Sequence, residues 1–188
     1  MKKGLLIVFS GPSGVGKGTV RQYFMDDPKL NLAYSISMTT RSPRQGEEEG
    51  KDYFFVTREA FEAAVERGEL LEHAEFVGNY YGTPLPYVEK LRNEGKNVIL
   101  EIEVEGMKQV VEKCSDALTI FIIPPSMEEL ERRIRGRKSE AEEVIQKRLA
   151  KASKELALQG NYKYIVCNDD PQVAANKVTE IILNEMSK

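Results

Sequence analysis

Apolar positions along the chain gather into short continuous runs: Leu5 to Phe9, Leu32 to Ser37, Val98 to Ile102, Leu118 to Ile123 and Tyr164 to Val166. Runs of this length without polar alternation predict strands covered on both faces, as in a parallel sheet. Between them lie segments with helical start and stop signals. Ser126 with Glu129 reads as a capping box, and Gly136 as the end of that helix. Ser139 with Glu142 opens a second, longer helix that Gly160 is expected to terminate. Asp170 followed by Pro171 predicts a capped helix running to about Met186. Strands alternating with helices give an α/β fold, a parallel sheet with crossover helices on both faces.

One stretch departs from this alternation. From Thr39 to Thr83 the chain is polar, rich in Gly and Tyr, with strand-like pieces at Tyr53 to Val56 and Leu70 to Val77 around a helix starting near Thr57. This predicts a small β-rich lobe inserted into the sheet domain. The length of 188 residues suits one α/β core with such an insertion better than two domains of ordinary size.

Composition narrows the class only slightly. At 41% hydrophobic and 30% charged residues the chain is ordinary for a packed globular protein. With 27 Lys and Arg against 30 Asp and Glu, the net charge is -3, and bulk charge implies no nucleic-acid partner. Lys2 and Lys3 followed by Leu5 to Phe9 resemble the head of a signal peptide, but the apolar run is short and enters a Gly-rich turn, so a buried strand is expected. No run approaches a membrane span. Cys114 and Cys167 lie far apart beside apolar runs and read as buried free thiols. The expected location is cytoplasmic.

The strongest chemical signal follows the first strand. Gly11-Pro12-Ser13-Gly14-Val15-Gly16-Lys17 fits the phosphate-binding P-loop pattern, between an apolar strand and a helix. Glycines there let successive N–H groups converge on phosphate oxygens at the positive end of a helix, and Lys17 adds a point charge. The residue after the lysine is Gly18, and the hydroxyl arrives one step later at Thr19. That shift, found in nucleotide kinases with small phosphorylated acceptors, leaves open whether Thr19 touches a metal or a phosphate.

A second anion site is suggested by Arg41 and Arg44, three residues apart around Pro43, with Tyr53 and Tyr81 as phenolic donors. Spacing alone also allows a solvated basic loop. Farther on, Arg132, Arg133, Arg135, Arg137 and Lys138 form a basic cluster between acidic neighbours, which by itself reads as a charge-balanced helical surface.

These motifs, in this order, resemble the guanylate kinase family over essentially the whole chain. The resemblance rests on Ser10 to Thr19, Ser35 to Tyr53, Glu72 with Asn79 to Thr83, Pro124-Pro125-Ser126 with the arginines that follow, and Asn168-Asp169-Asp170. It implies a parallel-sheet P-loop kinase core (1–36, 84–125 and 160–188), a GMP-binding lobe (37–83) and a helical lid (126–159). It also implies transfer of the γ-phosphate of ATP to GMP, and to dGMP, in purine nucleotide metabolism, with Mg²⁺ as cofactor. Gly11 to Thr19 and Asn168 would bind ATP. Arg41, Arg44, Tyr53 and Tyr81 would hold the GMP phosphate, and Ser37, Glu72 and Thr83 would read the guanine. Lys17, Arg133, Arg137 and Arg148 would act on the transferred phosphoryl group. Glu101 and Glu103 point the same way at the carboxyl edge of the sheet and would face the acceptor nucleotide or hydrated Mg²⁺, for which Thr19 and Glu103 are the candidate protein contacts. His73, the only histidine, is expected to be structural. Two other readings share the architecture: a kinase of phosphorylated ribose, and a non-catalytic peptide-binding module.

Overall fold

The computed structural model describes residues 2–136 and 140–188. Strand β1 (Leu6–Ser10) is fully buried. It is the middle strand of a five-stranded sheet with the order β2-β7-β1-β8-β9, in which every pairing is parallel. Its neighbours are β7 (Asn97–Glu101) and β8 (Leu118–Ile123), with β2 (Leu32–Tyr34) and β9 (Tyr164–Cys167) at the edges.

Alternation along β1 divides the core. Ile7 and Phe9 pack with Val20 and Phe24 of α1 (Lys17–Phe24) and with Val178 and Ile182 of α7 (Pro171–Met186). Leu6 and Val8 face the other way, with Val88 of α3 (Leu85–Asn93) and Met107 and Val110 of α4 (Val104–Lys113). Helices thus cover both faces, which is why the strands are apolar throughout. Asn97 joins neighbouring segments inside this core: its Oδ1 accepts from the Leu5 N–H at 2.8 Å and its Nδ2 donates to the Leu30 carbonyl at 2.7 Å.

The run from Leu32 to Ser37, expected as one strand, is divided between two sheets. Leu32–Tyr34 pairs with β7, and the Ser35 N–H makes a last bond to the Ile99 carbonyl at 3.0 Å. After Ile36 the chain enters β3 (Ser37–Thr39), which belongs to a second sheet with the order β4-β3-β6-β5. The change from Leu32-Ala33-Tyr34 to the more polar Ser37-Met38-Thr39 marks the break only weakly, because both halves are short and extended. The second sheet contains β4 (Tyr53–Phe55), β5 (Leu70–Phe76) and β6 (Asn79–Pro84), with α2 (Arg58–Glu66) capped by the Thr57 hydroxyl.

Helix ends differ from expectation in four places. Ser126 does cap α5 (Met127–Arg135) through the Glu129 N–H, but the Glu129 carboxylate is held by Arg132 and Arg133, so the box is half made. Gly136 is the C-cap of α5 with right-handed geometry, φ -61, so it does not form the left-handed glycine stop. Helix α6 (Glu142–Ala157) has Ala141 as its N-cap, while Ser139 lies outside the described residues. Glu142 is instead engaged by both Nη atoms of Arg135. At its other end α6 stops at Ala157, with Gly160 inside a short 3-10 turn at Gln159–Asn161. Cys114 is half-buried, but Cys167, expected to be buried, is exposed because it ends an edge strand. Among the described residues no helix is long and apolar enough to cross a membrane.

The α7 start matches its sequence signals: Pro171 opens the helix and Asp170 Oδ1 accepts from the Val173 N–H at 3.0 Å. Replacing Asp170 with Ala is expected to lower unfolding free energy by about 1 kcal/mol, measured by urea denaturation, because α7 packs directly on α1.

Candidate functional site

Two clefts open at the carboxyl edge of the parallel sheet and share one wall. The first, of about 380 Å³, is formed where β1 gives way to the loop Gly11–Gly16 and the start of α1. Gly14 and Gly16 have φ of 87° and 92°, a left-handed backbone that other residues adopt only at a cost. They are also crowded: a Cβ on Gly14 would meet Ile134 Cγ1 at 2.7 Å, and one on Gly16 would meet Asn168 Nδ2 at 2.8 Å. The loop therefore fits closely between α5 and the segment after β9.

Lys17 folds back onto this loop, donating from Nζ to the Gly11 carbonyl at 2.6 Å, with Pro12 O at 3.4 Å. Burial pushes its pKa down, and the nearby carboxylates of Glu101, Glu155 and Glu103 oppose that shift. Ser13, Gly18 and Thr19 also line the cleft. Val15 turns its side chain into the core and offers its carbonyl to Asn168 Nδ2 at 2.8 Å and Arg133 Nη1 at 3.3 Å. Asn168, expected to bind ATP, is buried and braces the loop from beneath.

Cations from two helices approach the same loop. Arg133 of α5 is held by Glu129 Oε1 at 2.9 Å, and its arginine partners keep the Glu129 carboxyl down at about 2. Arg148 of α6 donates to Ser13 Oγ at 2.8 Å and to Glu140 at 2.7 Å. Arg137 lies outside the described residues.

The second cleft, of about 310 Å³, lies between the two sheets, with Ser37, Glu72 and Tyr81 among its lining. Glu101, Ile102 and Glu103 line both clefts, so the end of β7 is the common wall. Each acid there already has a cationic partner. Arg21 donates to Glu101 at 2.8 Å while lying over the Tyr34 ring, and Lys151 of α6 spans both Glu103 oxygens at 2.8 and 3.0 Å.

Deep in this cleft the Thr83 hydroxyl donates to Glu72 Oε1 at 2.6 Å, both residues being buried. The pair arises from β5–β6 pairing, which sets Glu72 opposite Thr83. Burial raises the Glu72 pKa, against the opposing effects of Thr83 and Lys113. Nearer the rim, Arg41, Tyr53 and Tyr81 converge: the Arg41 guanidinium lies 5.4 Å from the Tyr53 ring centre, and the two tyrosine rings are 6.1 Å apart. Arg44 is exposed and joins the group through its backbone N–H.

Glu47 was not anticipated. It takes two bonds from Arg41 at 3.0 and 2.9 Å and one from the Arg44 N–H at 2.8 Å, which holds its carboxyl below the usual range. The only signal for it is its place six residues after Arg41 in an acidic triplet. Glu155 was also missed; it lines the first cleft, and burial raises its pKa. His73 has its backbone bonded to the Gln109 side chain and its ring set edge-on to Phe61.

Comparison with known proteins decides among the readings of this geometry. The guanylate kinase family model matches residues 3–185. The chain belongs to the guanylate kinase family. A guanylate kinase of Enterococcus faecalis is 52% identical over 184 residues, covering 98% of this chain and 90% of the relative. The crystal structure of guanylate kinase from Anaplasma phagocytophilum, 35% identical, superposes with a TM-score of 0.74 and covers 100% of this chain and 89% of that one. A more distant likeness is to the SH3-kinase fragment of tight junction protein 3, at 11% identity and a TM-score of 0.52, covering 100% of this chain and 58% of that one. That likeness concerns the fold alone.

The raised Glu72 pKa has a consequence for stability. The folded state holds this proton more tightly than the unfolded chain, so the stability associated with Glu72 falls as pH rises through its folded pKa. Glu72→Gln is expected to be more stable than the parent at neutral pH. The difference should vanish as the medium is acidified below the ordinary carboxylate range, as followed by chemical denaturation across a pH series.

Proposed function

We propose that this chain transfers the γ-phosphate of ATP to GMP, giving ADP and GDP, with dGMP as a further acceptor. The observation that carries this reading is the buried Glu72–Thr83 pair in a cleft that shares its wall with the P-loop cleft. Guanine offers N1–H and a 2-amino group, two donors for a carboxylate, and its O6 suits the hydroxyl of Ser37; the one Thr83 O–H is given to Glu72, so Thr83 reads the base by orienting that carboxylate. Adenine presents a bare N1 acceptor at the same edge. Against a buried Glu72 it would leave charge unpaired, at a cost of about 1 to 3 kcal/mol or more.

In the proposed reaction Lys17 leaves the Gly11 carbonyl for the outer phosphates of ATP, and Arg41 exchanges Glu47 for the GMP phosphate, with Arg44, Tyr53 and Tyr81 closing around it. Arg133 and Arg148 already stand over the loop at Val15 and Ser13, where they would stabilise charge spread over the transferred group; Arg137 is assigned there with them. Chemistry of this kind asks little of a protein base and much of positioning.

The donor set fits a hydrated Mg²⁺ arriving with ATP. Thr19 lines the cleft, Glu101 and Glu103 form its wall, and both acids are in ion pairs. Bound there, Mg²⁺ would neutralise charge on the phosphates. Thr19 and Glu103 would then meet it directly or through its waters.

The segment 37–83 serves in this reading as the acceptor lobe and 126–159 as the lid, hinging near 37–39 and 83–86 over a core of 1–36, 84–125 and 160–188. Closure would exclude water as a competing acceptor. X-ray scattering should show contraction when a bisubstrate analogue is added; identical profiles would argue against closure.

With Mg-ATP and a panel of nucleoside monophosphates, GMP should be phosphorylated far faster than AMP or CMP. A faster reaction with AMP or CMP would overturn the assignment. Lys17→Ala is expected to abolish turnover, and full activity in that variant would remove the P-loop from the chemistry.

A further inference from the structure

Helix α4 is fastened along β5 at three points spaced as one helical face. Lys113 Nζ donates to the Leu70 carbonyl at 2.6 Å, and the Gln109 side chain exchanges two bonds of 3.1 Å with the His73 backbone. One turn nearer the helix start, Gly106 faces the Glu72 carboxylate. These contacts bring the first turn of α4 against the floor of the second cleft, which Gly106 and Gln109 help to line.

Gly106 has no conformational reason to be glycine. It lies within α4 and is not among the positive-φ glycines, and alanine is favoured over glycine in a helix. What the position lacks is room. A Cβ there would sit 3.0 Å from Glu72 Oε2 and 3.4 Å from Ile102 Cδ1. Glu72 cannot easily give way, because its other oxygen is fixed by Thr83 at 2.6 Å and the side chain is buried. Oε1 keeps a second lone pair beside the bond from Thr83, so together with Oε2 the carboxylate can still take two donors from a ligand.

We infer that Gly106 is a specificity-determining position for the acceptor base: by carrying no side chain it lets α4 back the Glu72 carboxylate at the depth where both donors of guanine can reach it. This rests on the reading of the second cleft as the guanine site. Gly106 acts through Glu72 and is a positioning residue. A methyl group at 106 tilts the carboxylate and spoils the paired hydrogen bonds, while toward the donor cleft it meets only Ile102, at 3.4 Å.

The test is Gly106→Ala, measured beside Glu72→Gln for turnover of GMP and AMP, KM for each nucleotide, and melting temperature. For Gly106→Ala the expected result is a rise in KM for GMP, with the GMP-over-AMP preference reduced roughly tenfold or more. KM for ATP should be unchanged, and any fall in melting temperature small because the helix gain of alanine offsets part of the crowding, a combination that general damage to the fold does not produce. An unchanged GMP preference in Gly106→Ala, with the preference lost in Glu72→Gln, overturns the inference and leaves the guanine reading standing. Parallel losses of ATP affinity, GMP affinity and melting temperature overturn it as well, by making Gly106 a packing residue only. An intact GMP preference in Glu72→Gln removes the guanine reading, and the inference with it.

Discussion

The burial of β1 on both faces is the constraint on which the rest depends. A strand with no exposed residue keeps its backbone bonds satisfied only inside the sheet, so its unpaired N–H groups first become available where pairing ends. In this protein that point is the glycine loop, and the helix that follows begins at once with Lys17. The neighbouring strand β7 ends beside it and supplies Glu101 and Glu103 to both clefts. The donor and acceptor sites are adjacent because two parallel strands end side by side.

The cations assigned to phosphate already have partners. Lys17 is on a loop carbonyl, Arg41 on Glu47, and Arg148 on Ser13 and Glu140. Lys151 has the same relation to Glu103 on the shared wall. The ion pairs among these, those of Arg41, Arg148 and Lys151, contribute only about 0 to 1 kcal/mol each where partly exposed, so a phosphate dianion can displace them at little cost. Meanwhile the carboxylates hold the cations near where they are needed. The Glu72–Thr83 pair differs in kind, being buried and set by strand register, and so suits discrimination better than exchange.

Much of this arrangement was legible in the sequence because local chemistry specifies it. A glycine loop between an apolar run and a helix has few other uses, and the Asp170–Pro171 helix start formed as its signals imply. The lobe was legible as a change in composition between Thr39 and Thr83. What escaped depended on partners distant in sequence. The division of Leu32 to Ser37 between two sheets is decided by what lies beside each half, which the chain's own residues do not show. Glu47 looks like any acid of its triplet until Arg41 is seen against it. Nothing in the sequence shows that Asn168 also braces Val15 until β9 is seen to place it beneath that residue. The helix stop at Gly160 failed because glycine permits a left-handed turn without requiring one.

The break after Ser35 also bears on how such a protein could change its acceptor. The chain passes into the second sheet at Ser37 and leaves it at Pro84, and β3 and β6 run antiparallel, so both crossings lie next to each other. A segment whose two ends meet can be exchanged as a cassette without rethreading the sheet that carries the P-loop. Divergence toward a different phosphorylated acceptor could proceed chiefly by rewriting residues 37–84, with adjustment where the end of β7 and the first turn of α4 line the same cleft, while the loop that presents the triphosphate is inherited intact.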